Sequence, residues 1–219
     1  MTGKVKKIGV ILSGCGFKDG AEIQESVLTL LAIQKNNAEY LCFSPDIPQH
    51  HVTNHLTGES SDESRNVLVE SARIARGKIS PLSDFKPSDV DALILPGGLG
   101  AATNLSTFAF EGGDCTVNEE VASAIRGMVE AKKPIGALCI APAIMAKLLD
   151  GVELTIGSDK GTAEALEGMG AKHKNAGFSD IVIDEKYRLV TTPCYMLDSK
   201  VTYIAEGAEN LVKAVLAMT

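Results

Sequence analysis

The chain has no tryptophan, and aromatic residues fill only 5% of its 219 positions. Single-stranded nucleic acid is held largely by bases stacked on aromatic rings, and this composition offers no such platform. Positive charge is scarce too: 21 Lys and Arg stand against 28 Asp and Glu, a formal net charge of −7. Nucleic acid and anionic membrane surfaces are therefore not expected partners. No apolar run approaches the ~20 residues of a membrane-spanning helix. Met1-Thr2-Gly3-Lys4 leads directly into a strand-like segment, so no signal peptide is expected. The five cysteines, at positions 15, 42, 115, 139 and 194, include no CxxC pair and are odd in number. They predict no disulfide framework, and with it a reducing, cytoplasmic setting.

What is present is a regular alternation of apolar runs with segments of helical period. That pattern predicts one α/β domain over residues 1–219, with a mostly parallel sheet and helices on both faces. Strands are expected at 5–12, 38–44, 78–82, 90–95 and immediately before Cys139, and a hairpin over 180–184 and 187–192. Helices are expected at 21–34, 63–75, 118–132, 162–169 and 200–218. The first of these carries Ile23, Val27, Leu30 and Leu31 on one side. Residues 45–62 are polar and turn-rich and read as an insertion. Ligands bind beyond the carboxyl ends of the strands in such sheets. The loops at 13–20, at 96–102 and at Cys139 meet that rule from three distant parts of the chain.

Cys139 follows the apolar run Ile135-Gly136-Ala137-Leu138 and precedes Ile140-Ala141-Pro142, where a helical pattern begins. A strand turning sharply into a helix presents the residue at the turn, the geometry of a nucleophile elbow. The first N–H groups of the helix are left to favour negative charge, so the thiol is expected to have a lowered pKa and to act as a nucleophile. Ala137 and Ala141 stand where many elbows carry glycine. The structural alternative is a core cysteine, which suits Cys42 in Tyr40-Leu41-Cys42-Phe43 better.

A thiol nucleophile needs a proton acceptor nearby. Asp19 and Glu22 have capping-box spacing, which assigns Glu22 an ordinary structural role. Glu25, one turn further on, has none. It is either a solvated carboxylate or a buried group with a raised pKa that exchanges a proton with Cys139. Pro96-Gly97-Gly98-Leu99-Gly100 is neither GxGxxG nor a P-loop. It reads either as a tight turn or as part of an oxyanion hole in which the N–H groups of Gly97, Gly98 and Ile140 are candidate donors. Cys15, in Ser13-Gly14-Cys15-Gly16, is a possible second thiol at the same site. His50, His51 and His55 cluster in the insertion, with His51 and His55 spaced to share a helix face. Without HExxH or a neighbouring cysteine, no metal site is expected. His173, between two lysines, reads as exposed.

These residues resemble a known family. Ser13-Gly14-Cys15-Gly16, Asp19-Gly20, Arg65-Asn66-Val67-Leu68, Ala75-Arg76-Gly77, Pro96-Gly97-Gly98, Asn104-Leu105-Ser106, Cys139-Ile140-Ala141-Pro142 and Val190-Thr191-Thr192-Pro193 are similar, in this order, to the ElbB-like proteins. That group is named for enhancing lycopene (isoprenoid) biosynthesis and belongs to the ThiJ/PfpI, class I glutamine amidotransferase-like superfamily. The resemblance implies a flavodoxin-like three-layer α/β/α sandwich, a homodimer, a nucleophilic Cys139 and a functional glutamate at Glu25. It also implies cofactor-independent glyoxalase chemistry on a small carbonyl substrate, needing neither glutathione nor metal. Many superfamily members complete a triad with a histidine after the elbow. Leu154-Thr155-Ile156-Gly157-Ser158-Asp159 stands there instead, and no base for a Cys-dependent amidase is evident. A redox-sensing binding protein using the same thiol is the remaining alternative.

Overall fold

The computed structural model describes residues 4–219. Its strands and helices follow one another as β1 (Lys7–Ile11), α1 (Ile23–Lys35), β2 (Glu39–Ser44), β3 (Val52–Thr53), β4 (Ser60–Ser61), α2 (Val67–Ile74) and β5 (Ile79–Pro81). Then come β6 (Ala92–Leu95), α3 (Leu99–Thr103), α4 (Phe108–Glu111), α5 (Glu119–Glu130), β7 (Ile135–Leu138) and α6 (Pro142–Leu148). The chain ends with β8 (Glu153–Leu154), α7 (Lys160–Gly168), β9 (Lys172–His173), β10 (Val182–Asp184), β11 (Leu189–Thr192) and α8 (Val201–Ala217).

Seven strands form the main sheet in the order β10-β11-β7-β6-β1-β2-β5. All neighbours are parallel except β10, which pairs antiparallel with β11 as the predicted hairpin. Parallel strands covered on both faces must be apolar on both, and β6 and β7 are buried at every residue. Their side chains alternate between two cores. Ile11, Leu93, Leu95 and Ala137 belong to one, with Ile125 and Met128 of α5 and Ile144 of α6. Ile8, Val10, Ile94 and Leu138 belong to the other, with Leu30 and Ile33 of α1 and Leu211 and Val215 of α8. This is the three-layer sandwich that the alternation predicts. No helix among the described residues is long and apolar enough to cross a membrane.

Two expectations are corrected by the packing. Helix α1 buries Glu25, Ser26, Thr29, Leu30, Ala32 and Ile33, while Ile23, Val27 and Leu31 form an exposed row. Burial here follows the functional end of the sheet, which draws a carboxylate and two hydroxyls inward. Residues 45–62 hold no helix; β3 and β4 make a small antiparallel hairpin. His51 and His55 therefore share no helix face, and among the described residues no cluster of three His, Cys, Asp or Glu is arranged to hold a metal ion.

Candidate active site

The register places the ends of β1, β6, β7 and β11 on one edge of the sheet, with Leu95 beside Ala137 and Leu138 beside Thr192. The loops that leave these ends lock together through backbone bonds. Glu22 N–H donates to Gly97 O at 2.9 Å, Leu99 N–H to Phe17 O at 2.8 Å and Gly100 N–H to Gly20 O at 2.9 Å. Asn104, buried at the end of α3, ties the same loops from behind. Its Nδ2 donates to Ser13 O and to Asp19 O, both at 2.9 Å, and its Oδ1 accepts from His50 N–H at 2.9 Å. Asn104→Leu keeps the volume and leaves two buried carbonyls and the part-buried His50 N–H unpaired. It should lower the unfolding free energy by roughly 3 kcal/mol or more, read from thermal or denaturant unfolding.

Cys139 is the elbow. Its φ is +60°, a value L-residues avoid, and the turn is held by Cys139 N–H to Thr192 O at 3.0 Å and Ala141 N–H to Leu138 O at 3.0 Å. The strain falls on the cysteine itself. Ala141 keeps an ordinary helical φ of −58°, which explains why alanine serves where other elbows use glycine. The thiol is 7% exposed and Glu25 is completely buried beside it. Oε2 of Glu25 accepts from Gly97 N–H at 3.0 Å and Oε1 from Tyr195 N–H at 3.1 Å, and the carboxylate lies beside the Cys139 thiol, both groups packing against Gly97. Gly97's donor is thus spent on Glu25, whereas the N–H groups of Gly98 and Ile140 point at Cys139 Sγ.

The electrostatics differ from the lowered thiol pKa expected at the elbow. Burial and the adjacent Glu25 charge push Cys139 up well above the ordinary thiol value, against the smaller opposing effect of the Gly98 and Ile140 donors. Helix α6 is short, and Ala141 and Pro142 offer no free N–H to the sulfur. Burial also raises Glu25 to about 7. Cys139 is therefore held as a protonated thiol beside the Glu25 carboxyl, the one carboxylate in reach of its proton being itself raised by burial.

Gly97 must be glycine for a steric reason. A Cβ there would lie 2.8 Å from Glu25 Oε2 and 2.9 Å from Cys139 Sγ, and would overlap Cys139 Cβ. Gly97→Ala has to push the pair apart. We expect about a 10²-fold fall in kcat/KM from that displacement, with a loss of about 1–3 kcal/mol in stability. Parallel assays and melts check both.

Cys139 opens into a cavity of about 400 Å³ lined by Phe17, Lys18, Glu22, Leu99, Ile140, Tyr195 and Met196 as well as Gly98. Cys15 is not among the lining residues. It is half-buried with Glu70, Arg73, Asp19 and Arg65 around it, and burial raises its pKa. Asp19 does not cap α1, because the chain stays extended through Glu22 (ψ 121°) and Glu22 is the cap, accepting from Glu25 N–H at 2.5 Å. The buried Asp19 carboxylate instead accepts from Thr53 N–H at 2.8 Å. With His51 on Lys18 O and His55 on Lys18 N–H, this holds the insertion against the loop that supplies Phe17 and Lys18. His173 is half-buried rather than exposed, and its Nε2 accepts from Ile156 N–H at 3.3 Å. Cys42 and Cys115 are buried, as structural cysteines should be, and all five thiols are free. Cys194 is also buried but stands at a φ of +45°, directly before the N–H that holds Glu25.

The sequence reading missed Tyr195 and the place of Glu22 on the cavity wall. A signal for the former existed: Thr192-Pro193 ends a strand parallel to the elbow strand, so the loop after it had to reach the same edge.

A flavodoxin-like sandwich with a strained cysteine at the elbow and a buried glutamate from the first helix defines a ThiJ/PfpI-type, class I glutamine amidotransferase-like protein. No protein-family model matches the chain. A rat protein, "ES1 protein homolog, mitochondrial", is 47% identical over 223 residues, covering 97% of this chain and 84% of the relative. The human "Glutamine amidotransferase-like class 1 domain-containing protein 3, mitochondrial" is 46% identical over 223 residues, covering 97% and 83%. The crystal structure of an isoprenoid biosynthesis protein with amidotransferase-like domain from Ehrlichia chaffeensis superposes with a TM-score of 0.90 at 35% identity, over 97% of this chain and 100% of that one. The chain belongs to the ES1 family of glutamine amidotransferase-like class 1 domain proteins.

The rat and human relatives are both named as mitochondrial, which overturns the cytoplasmic setting expected from the cysteines. Unpaired thiols report redox state alone, and more than one compartment keeps thiols reduced.

Proposed function

We propose that this protein is a glutathione-independent glyoxalase-type enzyme that converts small dicarbonyls to 2-hydroxy acids, glyoxal to glycolate being the simplest case. One observation carries the reading: a thiol at a strained turn, beside a buried carboxyl with a pKa of about 7, at the floor of a small cavity. The thiol proton passes to Glu25 as Sγ bonds to an aldehyde carbon, and Glu25 returns it to the alkoxide to complete a hemithioacetal. Glu25 then removes the hydrogen from that carbon and delivers a proton to the neighbouring one, while the hydroxyl proton moves to the second oxygen. The result is a hydroxyacyl thioester on Cys139. In this reading the N–H groups of Gly98 and Ile140, which favour the Cys139 thiolate, also donate to the oxyanion that develops at the carbon bonded to sulfur. Water releases the 2-hydroxy acid and restores the thiol. No external oxidant or reductant is consumed.

Redox sensing needs an accessible thiolate. Cys139 is 7% exposed and its pKa is raised, and both weigh against that alternative. An amidase would need a further base, and among the described residues no histidine lines the cavity. Glycolate formation from glyoxal without glutathione, by wild type and Cys139→Ser in parallel, tests the proposal. Absence of turnover by the wild type would overturn it.

A further inference from the structure

Hydrolysis of the Cys139 thioester is the one step for which Glu25 is badly placed. Its carboxylate is completely buried, and its two oxygens accept from Gly97 N–H and Tyr195 N–H. Water can reach the thioester only from the cavity. Of the side chains that line that cavity, Phe17, Leu99, Ile140 and Met196 carry no base, and Lys18 and Tyr195 present hydrogen-bond donors and no carboxylate. Glu22 is left. It is half-buried on the cavity wall, and its Oε2 accepts the N–H of Glu25, the first-turn bond that caps α1. A carboxylate can accept about four hydrogen bonds, so capping leaves capacity for a water molecule. Burial raises its pKa above the ordinary carboxylate value, which makes it a better base than an exposed glutamate.

We infer that Glu22 is the general base of the hydrolytic half of the reaction, taking the proton from the water that attacks the Cys139 thioester. This rests on the proposed glyoxalase reading. The water oxygen bonds to the thioester carbon as its proton moves to Glu22. The tetrahedral oxyanion collapses, the carbon–sulfur bond breaks, and Glu22 returns the proton to the leaving thiolate. A glutamate three residues before the thiol's own base thus takes the place of the histidine that other superfamily members carry after the elbow.

The test uses glyoxal with wild type and Glu22→Gln. Glutamine keeps an oxygen to accept Glu25 N–H, and Glu22→Ser, a good cap without a carboxylate, repeats the measurement should the glutamine variant fold poorly. We expect the steady-state rate of glycolate release to fall by about 10²-fold. A hydroxyacyl adduct should accumulate on Cys139, seen by intact mass and discharged by hydroxylamine as the hydroxamate, a product that the isomeric hemithioacetal does not give. Loss of turnover without a hydroxylamine-sensitive adduct would place Glu22 in an earlier step or in the cap alone and overturn the inference. Unchanged turnover would overturn it too. If the wild type itself forms no glycolate, the glyoxalase reading falls and this inference with it. Wild-type turnover with no adduct in the variant sinks the inference alone.

Discussion

Cys139→Ser should lower kcat/KM for glyoxal by at least about 10³-fold. The side chain differs by one atom, and a serine can occupy the same turn, so the φ of +60° and the bonds to Thr192 and Leu138 are retained. What changes is acidity. Burial holds the Cys139 thiol well above its ordinary value, so Glu25 takes its proton only as the carbon–sulfur bond forms, and an alcohol is many orders of magnitude less acidic still. The serine oxygen stays protonated and no hemiacetal of comparable lifetime forms. The melting temperature should stay within a few degrees of wild type, because the position is buried and the replacement nearly isosteric. A Cys139→Ser protein that folds normally and still makes glycolate at the wild-type rate would remove the thiol from the mechanism.

Glu25→Gln should be nearly as damaging to activity, about 10²–10⁴-fold in kcat/KM, since proton transfer is lost in both directions. The wild-type rate should rise as pH increases through about 7, where Glu25 becomes the carboxylate that accepts the thiol proton. The glutamine variant should lack that limb. The stability effect has the opposite trend. Glu25 binds its proton more tightly in the folded chain (about 7) than in the unfolded one (4.5). Its protonation therefore favours folding fully below pH 4.5, and that contribution is lost as pH rises through about 7. The span is about 3 kcal/mol. Glutamine carries no such charge, so the variant should gain on wild type by up to about 3 kcal/mol between pH 5 and pH 8. An offset is expected at every pH, because an amide nitrogen cannot accept from both Gly97 and Tyr195. Denaturant unfolding at several pH values checks the slope. A pH-independent difference would mean that Glu25 is ionised at an ordinary value in the fold.

Much of the architecture is local information and could be read locally. The continuous apolar runs Ile8-Gly9-Val10-Ile11 and Ala92-Leu93-Ile94-Leu95 report strands covered on both faces, and the structure seats their side chains in two opposite cores. The elbow was legible because an apolar strand, one cysteine and a proline-started helix are neighbours in the chain. Asn118 and Asn66 mark the starts of α5 and α2 by capping chemistry, although the second predicted helix began four residues too early. Glu25 stood out only as a carboxylate with no capping role until the family resemblance singled it out.

Other features depend on distances that no local pattern encodes. Tyr195 N–H meets Glu25 across 170 positions because β11 lies beside β7 in the sheet order, and that order is set by packing, not by periodicity. The exposed row of Ile23, Val27 and Leu31 and the buried Glu25 share one helix. Hydrophobic spacing assigns an inward side, whereas the tertiary structure turns the carboxylate inward to reach the elbow. The direction of the Cys139 pKa was decided in the same way. A strand-to-helix turn by itself favours a thiolate, but desolvation and a neighbouring carboxylate reverse it, and both exist only after folding. The amino-acid sequence by itself determined the sandwich, the elbow and the chemical type of the nucleophile, since strand periodicity and turn chemistry act between neighbours. Which groups lie beside that nucleophile, and which protons they hold, was decided by burial and by contacts between distant segments, which only the tertiary structure creates.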